Sequence, residues 1–215
     1  QEHVTPLKDS RGNITRILST AREITRQKQL EERLDYLDNF DPLTGVSNRR
    51  AFAERLKQEM KVNRSGDQLL SVMIMDIDRF KYINDLFGPE VGDEVLRRIS
   101  ETLSGTVGRG DIVARLGSDE FGVIHRFGAH LIDTASLAEH IRNAVAQKVM
   151  IGGQDIVMTV TIGIAVFPDN GKDARTLLKN ADMALSHAKS QGRSTVQFFS
   201  PDISNRIQEF YLMEK

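Results

Sequence analysis

The sequence predicts an α/β fold of the α+β type, in which helices flank a central, mostly antiparallel sheet of five strands. Apolar residues recur at helical spacing in several segments, and apolar or alternating runs indicate strands between them. Short glycine-containing turns join pairs of those strands. Because hairpins between helices favour antiparallel pairing, a doubly wound parallel sheet is the poorer match.

The first forty residues are expected to form a strand and a connecting helix. A glycine turn precedes the branched apolar run at residues 14–18, which suits a strand without a recognisable partner nearby. Residues 22–39 contain no glycine or proline and carry apolar residues at helical spacing. Leu30, Leu34 and Leu37 fit a heptad seam that is too short to establish a coiled coil, so dimerisation through this helix stays a hypothesis.

A helix and a buried strand are predicted next. Apolar residues at every fourth position after a candidate N-cap at Ser47 predict a helix to about residue 62. Residues 69–75 are almost continuously apolar, as expected of a strand that is covered on both faces. Asp76 and Asp78 follow this strand, and a period of two would place both carboxylates on one side.

A helix over residues 91–105 leads to a predicted hairpin. Its strands are expected at residues 112–116 and 121–125, and Gly117-Ser118 between them matches a two-residue type II′ turn. The flanking acids would then lie at the end of the hairpin.

The remaining segments repeat this alternation. A helix over residues 135–147 precedes a second predicted hairpin, in which a Gly-Gly pair joins strand 149–151 to strand 158–162. Asp173 can cap a last helix, which a glycine ends before a strand over residues 195–199.

Composition narrows the classes of function. The chain has 215 residues, with 29 Lys and Arg against 30 Asp and Glu, and the net charge of −1 gives no reason to expect nucleic-acid binding. The absence of cysteine excludes disulfides and thiolate metal ligands and fits a cytoplasmic location. Every apolar run is far shorter than the ~20 residues of a membrane span, so no membrane contact is expected here, although the full-length protein could be membrane-anchored.

Two acidic clusters are the first candidates for chemistry: Asp76-Ile77-Asp78 and Asp119-Glu120. Each has an ordinary alternative, a solvated strand end for the first and turn-forming acids for the second. If the two strands are neighbours in the sheet, however, several carboxylates converge. Such oxygen donors favour a hard divalent cation, Mg²⁺ or Mn²⁺.

Lys189 and Arg193 are candidate phosphate contacts. They lie one helical turn apart near the predicted helix end and could both reach a triphosphate. The alternative is that they only complement the helix dipole. The chain contains neither a GxxxxGK[ST] nor a GxGxxG motif, which excludes a P-loop and a Rossmann phosphate turn.

Five ordered blocks together resemble the GGDEF family of diguanylate cyclases, over residues 41–199. The fold that this resemblance implies is similar to adenylyl cyclase cores and polymerase palms. The matching blocks are Asp41-Pro42-Leu43-Thr44-Gly45 with Asn48-Arg49-Arg50-Ala51-Phe52, then Asp76-Ile77-Asp78-Arg79-Phe80-Lys81 with Asn84-Asp85, Gly92-Asp93, Arg115-Leu116-Gly117-Ser118-Asp119-Glu120-Phe121, and Ala181-Asp182-Met183-Ala184 through Gly192-Arg193.

The resemblance implies a role for each matching position. Two GTP molecules would condense to cyclic di-GMP and pyrophosphate in a face-to-face homodimer, one GTP to each domain. The implied metal ligands are Asp76, the Ile77 carbonyl, Asp119 and Glu120. Asp119 and Glu120 are also the implied catalytic residues. The implied substrate contacts are Asn84 and Asp93 at guanine, Lys189 and Arg193 at the β- and γ-phosphates, Lys81 beside the metal strand, and Gly117 and Ser118 where the backbone approaches the ligand.

Some positions depart from the family pattern. Residues 117–121 form the signature from which the family takes its name, and Ser118 replaces its second glycine. The hydroxymethyl group of Ser118 could obstruct GTP or add a hydrogen bond. Gly108 stands where the product-inhibition motif has arginine, although its aspartate is present as Asp111. Inhibition by the product through that motif is therefore not expected. With serine at position 118, the sequence does not decide whether the domain is catalytically active.

The flanks resemble two further modules. Residues 1–25 resemble the C-terminal end of a PAS sensor domain, residues 26–40 form the connecting helix, and residues 200–215 resemble the connector to an EAL phosphodiesterase domain. Three functions therefore stay open: an active diguanylate cyclase, a catalytically impaired GTP-binding module that regulates a tethered EAL domain, and a structural role without nucleotide.

Overall fold

The structure of the protein is a computed structural model that describes residues 2–21, 25–63, 69–128, 130–151 and 153–200, together with Asp202. The chain divides into two compact units, Gln1–Asp38 and Asn39–Lys215. Most of the predicted connector at residues 200–215, and the exit from the sensor-like segment at residues 22–24, lie outside the described residues.

The first unit contains a hairpin and most of a helix. Strand β1 (Glu2–Lys8) pairs antiparallel with β2 (Ile14–Ala21), and helix α1 (Thr25–Asn39) follows. The strand predicted at residues 14–18 therefore has a partner, contrary to expectation. Pro6 hid that partner in the sequence, because proline inside a run argues against a strand unless the strand lies at an edge.

The second unit is built around a six-stranded sheet in the order β10-β9-β4-β6-β5-β3. The three inner pairings are antiparallel and the two edge pairings are parallel, so the predicted fold class is confirmed with six strands instead of five. In chain order the elements are β3 (Ser47–Asn48), α2 (Arg49–Val62), β4 (Leu69–Ile77), α3 (Phe80–Phe87), α4 (Pro89–Thr106), β5 (Ile112–Arg115), β6 (Glu120–Phe127), α5 (Leu131–Val145), β7 (Lys148–Ile151), β8 (Gln154–Val157), β9 (Val160–Phe167), α6 (Ala174–Gln191) and β10 (Val196–Phe198).

Helices cover both faces of this sheet, and the central strand β4 is buried on each side. Met73, Met75 and Ile77 pack with apolar residues of α4 and α5. Val72 and Ile74 point the other way and pack with residues of α2 and α6. Burial on both faces explains why the sequence of β4 is an unbroken apolar run instead of an alternating one. Among the helices of the described residues, none combines the length and apolar character that a membrane span needs.

The predicted hairpin of residues 112–125 is confirmed in its antiparallel pairing but not in its turn type, and the second hairpin prediction is wrong. The strand at residues 149–151 does not pair with the strand that follows Met158: β7 pairs with β8, and β9 lies in the central sheet between β4 and β10. All eight residues of β9 are buried, which a two-stranded hairpin could not achieve. Gly117 is not among the glycines with positive φ, so the type II′ turn is absent, and the N–H of Leu116 donates to the Glu120 carbonyl across a longer loop.

Helix ends were predicted with mixed success. Asp173 caps α6 by accepting from the N–H of Thr176, and Gly192 follows its last turn, as expected. Asn48, not Ser47, caps α2, because Ser47 pairs with β5 as part of β3. Helix α3 was not predicted, since eight residues offer only two turns of periodicity.

Candidate functional site

The two acidic clusters meet at the end of the central strand. Asp76, near the end of β4, lies opposite Glu120, the first residue of β6. The N–H of Ile77 donates to the carbonyl of Asp119 at 3.1 Å. The strands β4 and β6 are therefore neighbours, which was the condition for the acids to converge, and the loop of residues 117–119 lies directly beside the strand that carries Asp76.

Asp76 is the electrostatically unfavourable carboxylate of this site. Its side chain is 15% exposed, and the Lys189 Nζ atom lies 2.8 Å from its Oδ2 atom. Burial is the largest influence and raises the pKa of Asp76; Lys189 lowers this pKa, whereas Asp119 and Asp78 raise it again. The net upward shift means that one lysine does not fully compensate the buried charge.

The other two acids also have partners. Arg49 donates from NH2 to Oε2 of Glu120 at 3.2 Å and from Nε to the carbonyl of Leu116 at 2.5 Å. The hydroxyl of Ser118 donates to Oδ1 of Asp119 at 2.6 Å. Ser118 is the departure from the family signature, and its effect here is a hydrogen bond to the neighbouring acid.

The predicted metal ligands do not form a preassembled cluster. Within the described ranges, no group of three or more His, Cys, Asp or Glu side chains is placed to hold a metal ion. Lys189 and Arg49 instead form ion pairs with Asp76 and Glu120. The close approach of Asp76 to Asp119 and the raised pKa of Asp76 nevertheless fit a place that favours a cation.

Asp78 differs sharply from Asp76, although both were expected on one side of a strand end. It is 8% exposed and accepts hydrogen bonds from the hydroxyls of Thr159 and Thr161, at 2.7 and 2.6 Å. The N–H of Ser194 also donates to it, at 3.1 Å. The interpretation as a solvated strand end is therefore wrong for Asp78, because its carboxylate accepts three hydrogen bonds from within the domain.

Cationic side chains surround the same end of the sheet. Arg193 follows α6, and Lys81 lies in the first turn of α3. Arg79, which sequence reasoning did not consider, lines a cavity of about 380 Å³ together with Arg193 and Asp78. Among the contacts of the described residues, these three cations make no ion pair, so they remain available to an anionic ligand.

The predicted guanine contacts lie on the neighbouring helices α3 and α4. Asn84 keeps its Oδ1 atom buried without a hydrogen-bond partner within the described part of the chain. Asp93 is exposed on α4, next to Gly92, where an added Cβ would overlap the Asn84 Oδ1 atom. The lack of a side chain at position 92 thus allows α4 to pack closely against the Asn84 amide.

Sequence reasoning missed the contact that fixes the signature loop. Arg115 donates to Oδ1 of Asp41 at 3.2 Å and to the carbonyl of Ser118 at 2.8 Å. Asp41 also accepts from the N–H and the hydroxyl of Thr44. In the sequence, Asp41 and Arg115 lie in two separate segments that match the family, and this does not by itself predict a contact between them.

Comparisons with known proteins identify the family of the chain. The sequence profile described as "Diguanylate cyclase, GGDEF domain" matches residues 38–195. The chain is 34% identical over 186 residues to the cyclic di-GMP phosphodiesterase NbdA of Pseudomonas aeruginosa, covering 85% of this chain and 23% of NbdA. It is 40% identical over 181 residues to the diguanylate cyclase DgcM of Escherichia coli, covering 84% of this chain and 43% of DgcM.

A solved structure supports the same relationship. The GGDEF domain of YfiN, also called TpbB, from Pseudomonas aeruginosa superposes with a TM-score of 0.70 at 35% identity, over 72% of this chain and 97% of that domain. The chain spans less than half of each curated relative, 23% and 43% of their lengths, so the similarity concerns one domain of longer proteins. On these grounds the chain belongs to the GGDEF domain family of diguanylate cyclases.

Proposed function

We propose that this domain is a diguanylate cyclase that condenses two GTP molecules to cyclic di-GMP. The 3′-hydroxyl oxygen of each GTP would form a bond to the α-phosphorus of the other, while the bond from that phosphorus to the pyrophosphate oxygen breaks. Two phosphodiester bonds form, two pyrophosphates leave, and each 3′-hydroxyl loses its proton, for which Glu120 is the proposed acceptor. The observation that carries the proposal is the position of Asp76 beside the loop of residues 117–119 and opposite Lys189.

Asp76, Asp119, Glu120 and the carbonyl of Ile77 would hold Mg²⁺ or Mn²⁺. When bound, the ion neutralises charge on the phosphates of GTP. The raised pKa of Asp76 supports a cation at this position, since the present ion pair leaves part of its charge uncompensated. Lys189, which now occupies that position, would then be free to turn towards a phosphate.

The remaining roles follow from charge and hydrogen-bonding capacity. Lys189, Arg193 and Lys81 would bind the β- and γ-phosphates, and Gly117 and Ser118 would approach them with their backbone. Asn84 and Asp93 would read guanine, because an acid accepts from the ring N–H and exocyclic amine and the buried Asn84 oxygen needs a donor. Adenine cannot supply the same donors to Asp93.

Catalysis would require two domains, because each is proposed to hold one GTP. The connecting helix offers a means of bringing them together, since Leu30, Leu34 and Leu37 are 57%, 64% and 43% exposed. We further propose that the segment at residues 1–25 ends a PAS-like sensor, that residues 200–215 lead to an EAL-like domain, and that the protein acts in the cytoplasm.

Incubation of the chain with GTP and Mg²⁺ at high protein concentration tests the proposal. Formation of pyrophosphate and cyclic di-GMP is expected, and Asp119→Ala should abolish it. Asp93→Ala should retain metal binding but lose preference for GTP over ATP. Unchanged activity in the first variant, or unchanged nucleotide selectivity in the second, would show that these residues are misassigned.

A second candidate is a GTP-binding module that regulates a tethered phosphodiesterase without making product. Two observations favour it: the Ser118 hydroxyl occupies an oxygen of Asp119, and the relative NbdA is named a cyclic di-GMP phosphodiesterase. Binding of GTP without product, even after artificial dimerisation, would support this candidate over the first. If neither GTP nor ATP raises the melting temperature, the nucleotide itself is excluded as a ligand.

A further inference from the structure

The turn that follows α6 has an unusual backbone. Gly192, Arg193 and Ser194 have φ angles of 135°, 61° and 48°. Only the first is glycine, and positive φ costs free energy for residues that carry a Cβ. Something must therefore hold Arg193 and Ser194 in this conformation.

Asp78 supplies that restraint. The N–H of Ser194 donates both to the Asp78 carboxylate at 3.1 Å and to the Thr161 hydroxyl at 3.0 Å. The Thr161 hydroxyl in turn donates to Asp78, at 2.6 Å. Thr161 is completely buried and Asp78 nearly so, which gives the restraint a rigid base in the central sheet.

Strain in the described part of the chain is concentrated around one cavity. Arg79, Arg193 and Ser194 are its three non-glycine residues with positive φ, and all three line the same 380 Å³ cavity as Asp78. Backbone strain maintained by buried charge-assisted hydrogen bonds is typical of a site that must place a side chain accurately. The side chain placed here is that of Arg193, whose guanidinium makes no ion pair with any side chain in the described part of the chain.

We infer that Asp78 is a positioning residue: by binding the N–H of Ser194, it holds Arg193 where it meets the phosphate tail of the nucleotide. This inference rests on the proposed function, which assigns the β- and γ-phosphates to Arg193 and Lys189. Asp76 and Asp78 thus have different roles near the end of β4. Asp76 pairs with Lys189 in the last turn of α6, and Asp78 holds the turn of residues 192–194 that follows this helix.

The test measures nucleotide binding instead of turnover. Two probes are titrated into the full 215-residue chain: a GTP analogue with a methylene group between the α- and β-phosphorus atoms, and guanosine, which has no phosphate. Asp78→Asn should weaken binding of the analogue about tenfold, or ~1.4 kcal/mol, and leave guanosine binding unchanged. In the Arg193→Ala background the same substitution should cause almost no further loss, because its effect acts through Arg193.

Asp173→Asn is the matched control. Asp173 caps the opposite end of α6, so its substitution weakens the same helix without touching the turn. It should lower the melting temperature and leave the affinity ratio of the two probes unchanged. Thr161→Val, which removes the other acceptor of the Ser194 N–H, replaces Asp78→Asn if that variant does not fold.

Each outcome decides the inference. Weaker binding of the analogue alone, lost in the Arg193→Ala background, supports it. Equal loss for both probes, or no loss, overturns the positioning role while the proposed function stands. If the unsubstituted chain binds guanosine and the analogue equally, the proposed phosphate site fails and the inference fails with it.

Discussion

Two partly buried aspartates in this domain have opposite electrostatic surroundings. Asp76, at the end of β4, has one lysine partner and two neighbouring carboxylates, and its pKa is raised. Asp111, just before β5, accepts from the N–H groups of Gly108 and Arg126, and Nδ1 of His125 lies 3.0 Å from its Oδ1 atom.

The net shift of Asp111 is downwards. Burial is again the largest single influence and raises the pKa of Asp111, but His125 and the two backbone N–H groups together lower it further than burial raises it. The comparison separates two uses of a buried acid. Asp111 is satisfied and serves the fold, whereas Asp76 is incompletely satisfied and is suited to binding a cation.

The largest expected effect is on activity. Under the proposed function, in which Asp76 is a metal ligand, Asp76→Asn should reduce cyclic di-GMP formation at least about 100-fold, because a metal ion that neutralises phosphate charge contributes several kcal/mol. The isosteric Asp111→Asn is the matched control and should keep the initial rate within about threefold. Initial pyrophosphate release by both variants, measured at equal protein concentration, checks this. Equal losses in the two variants would break the comparison.

Stability should respond in the opposite way. Asp111→Asn should lower the free energy of unfolding by about 2–3 kcal/mol, since the side chain is 6% exposed and binds donors that would lose a charged acceptor. Asp76→Asn should change it by about 1 kcal/mol or less, and towards greater stability, because it removes an unfavourable buried charge. Urea denaturation at pH 7 measures both values. A larger loss for Asp76→Asn would contradict the assignment.

Acid titration sharpens the same contrast. Because the folded pKa of Asp111 lies below the unfolded value of 3.8, its stabilisation is complete above that value and is lost as the pH falls through the folded pKa. The folded pKa of Asp76 lies above 3.8, so the folded state binds more protons and stability falls as the pH rises through that range. The loss in free energy of unfolding caused by Asp111→Asn should therefore become smaller in acid. The gain in free energy of unfolding caused by Asp76→Asn should become larger as the pH rises towards neutral.

The same two regions indicate what a sequence can reveal. The central sheet was predictable because burial on both faces leaves β4 as an apolar run, and the cap and end of α6 were predictable from Asp173 and Gly192. The pairing of β9 was not predictable, since the Gly-Gly pair before it favoured a hairpin between strand 149–151 and strand 158–162. Thr159 and Thr161 both donate to Asp78, which offsets their burial.

The site residues could be recognised from the sequence, but their ion-pair partners could not. The sequence could place Asp76 beside Asp119 and Glu120 once β4 and β6 were taken as neighbours. It could not reveal that Lys189 and Arg49 form ion pairs with two of these acids, because such contacts depend on where α6 and α2 pack. The partner of Asp111 was equally hidden, since His125 lies fourteen residues away on the adjacent strand.

The smallest expected effect concerns the departure in the signature. Ser118 does not have positive φ, so glycine is not needed there to relieve the backbone, and the main consequence of serine is its 2.6 Å hydrogen bond to Asp119. Ser118→Gly should free that oxygen and lower the Mg²⁺ concentration for half-maximal rate about threefold, since a neutral donor contributes ~0.5–1.5 kcal/mol. Ser118→Ala should behave alike, because it removes the hydroxyl without adding backbone freedom. If only Ser118→Gly changes the Mg²⁺ requirement, backbone freedom is the cause. If the Mg²⁺ requirement rises in both variants, the hydroxyl assists the site, and Asp119 is as well satisfied as Asp111.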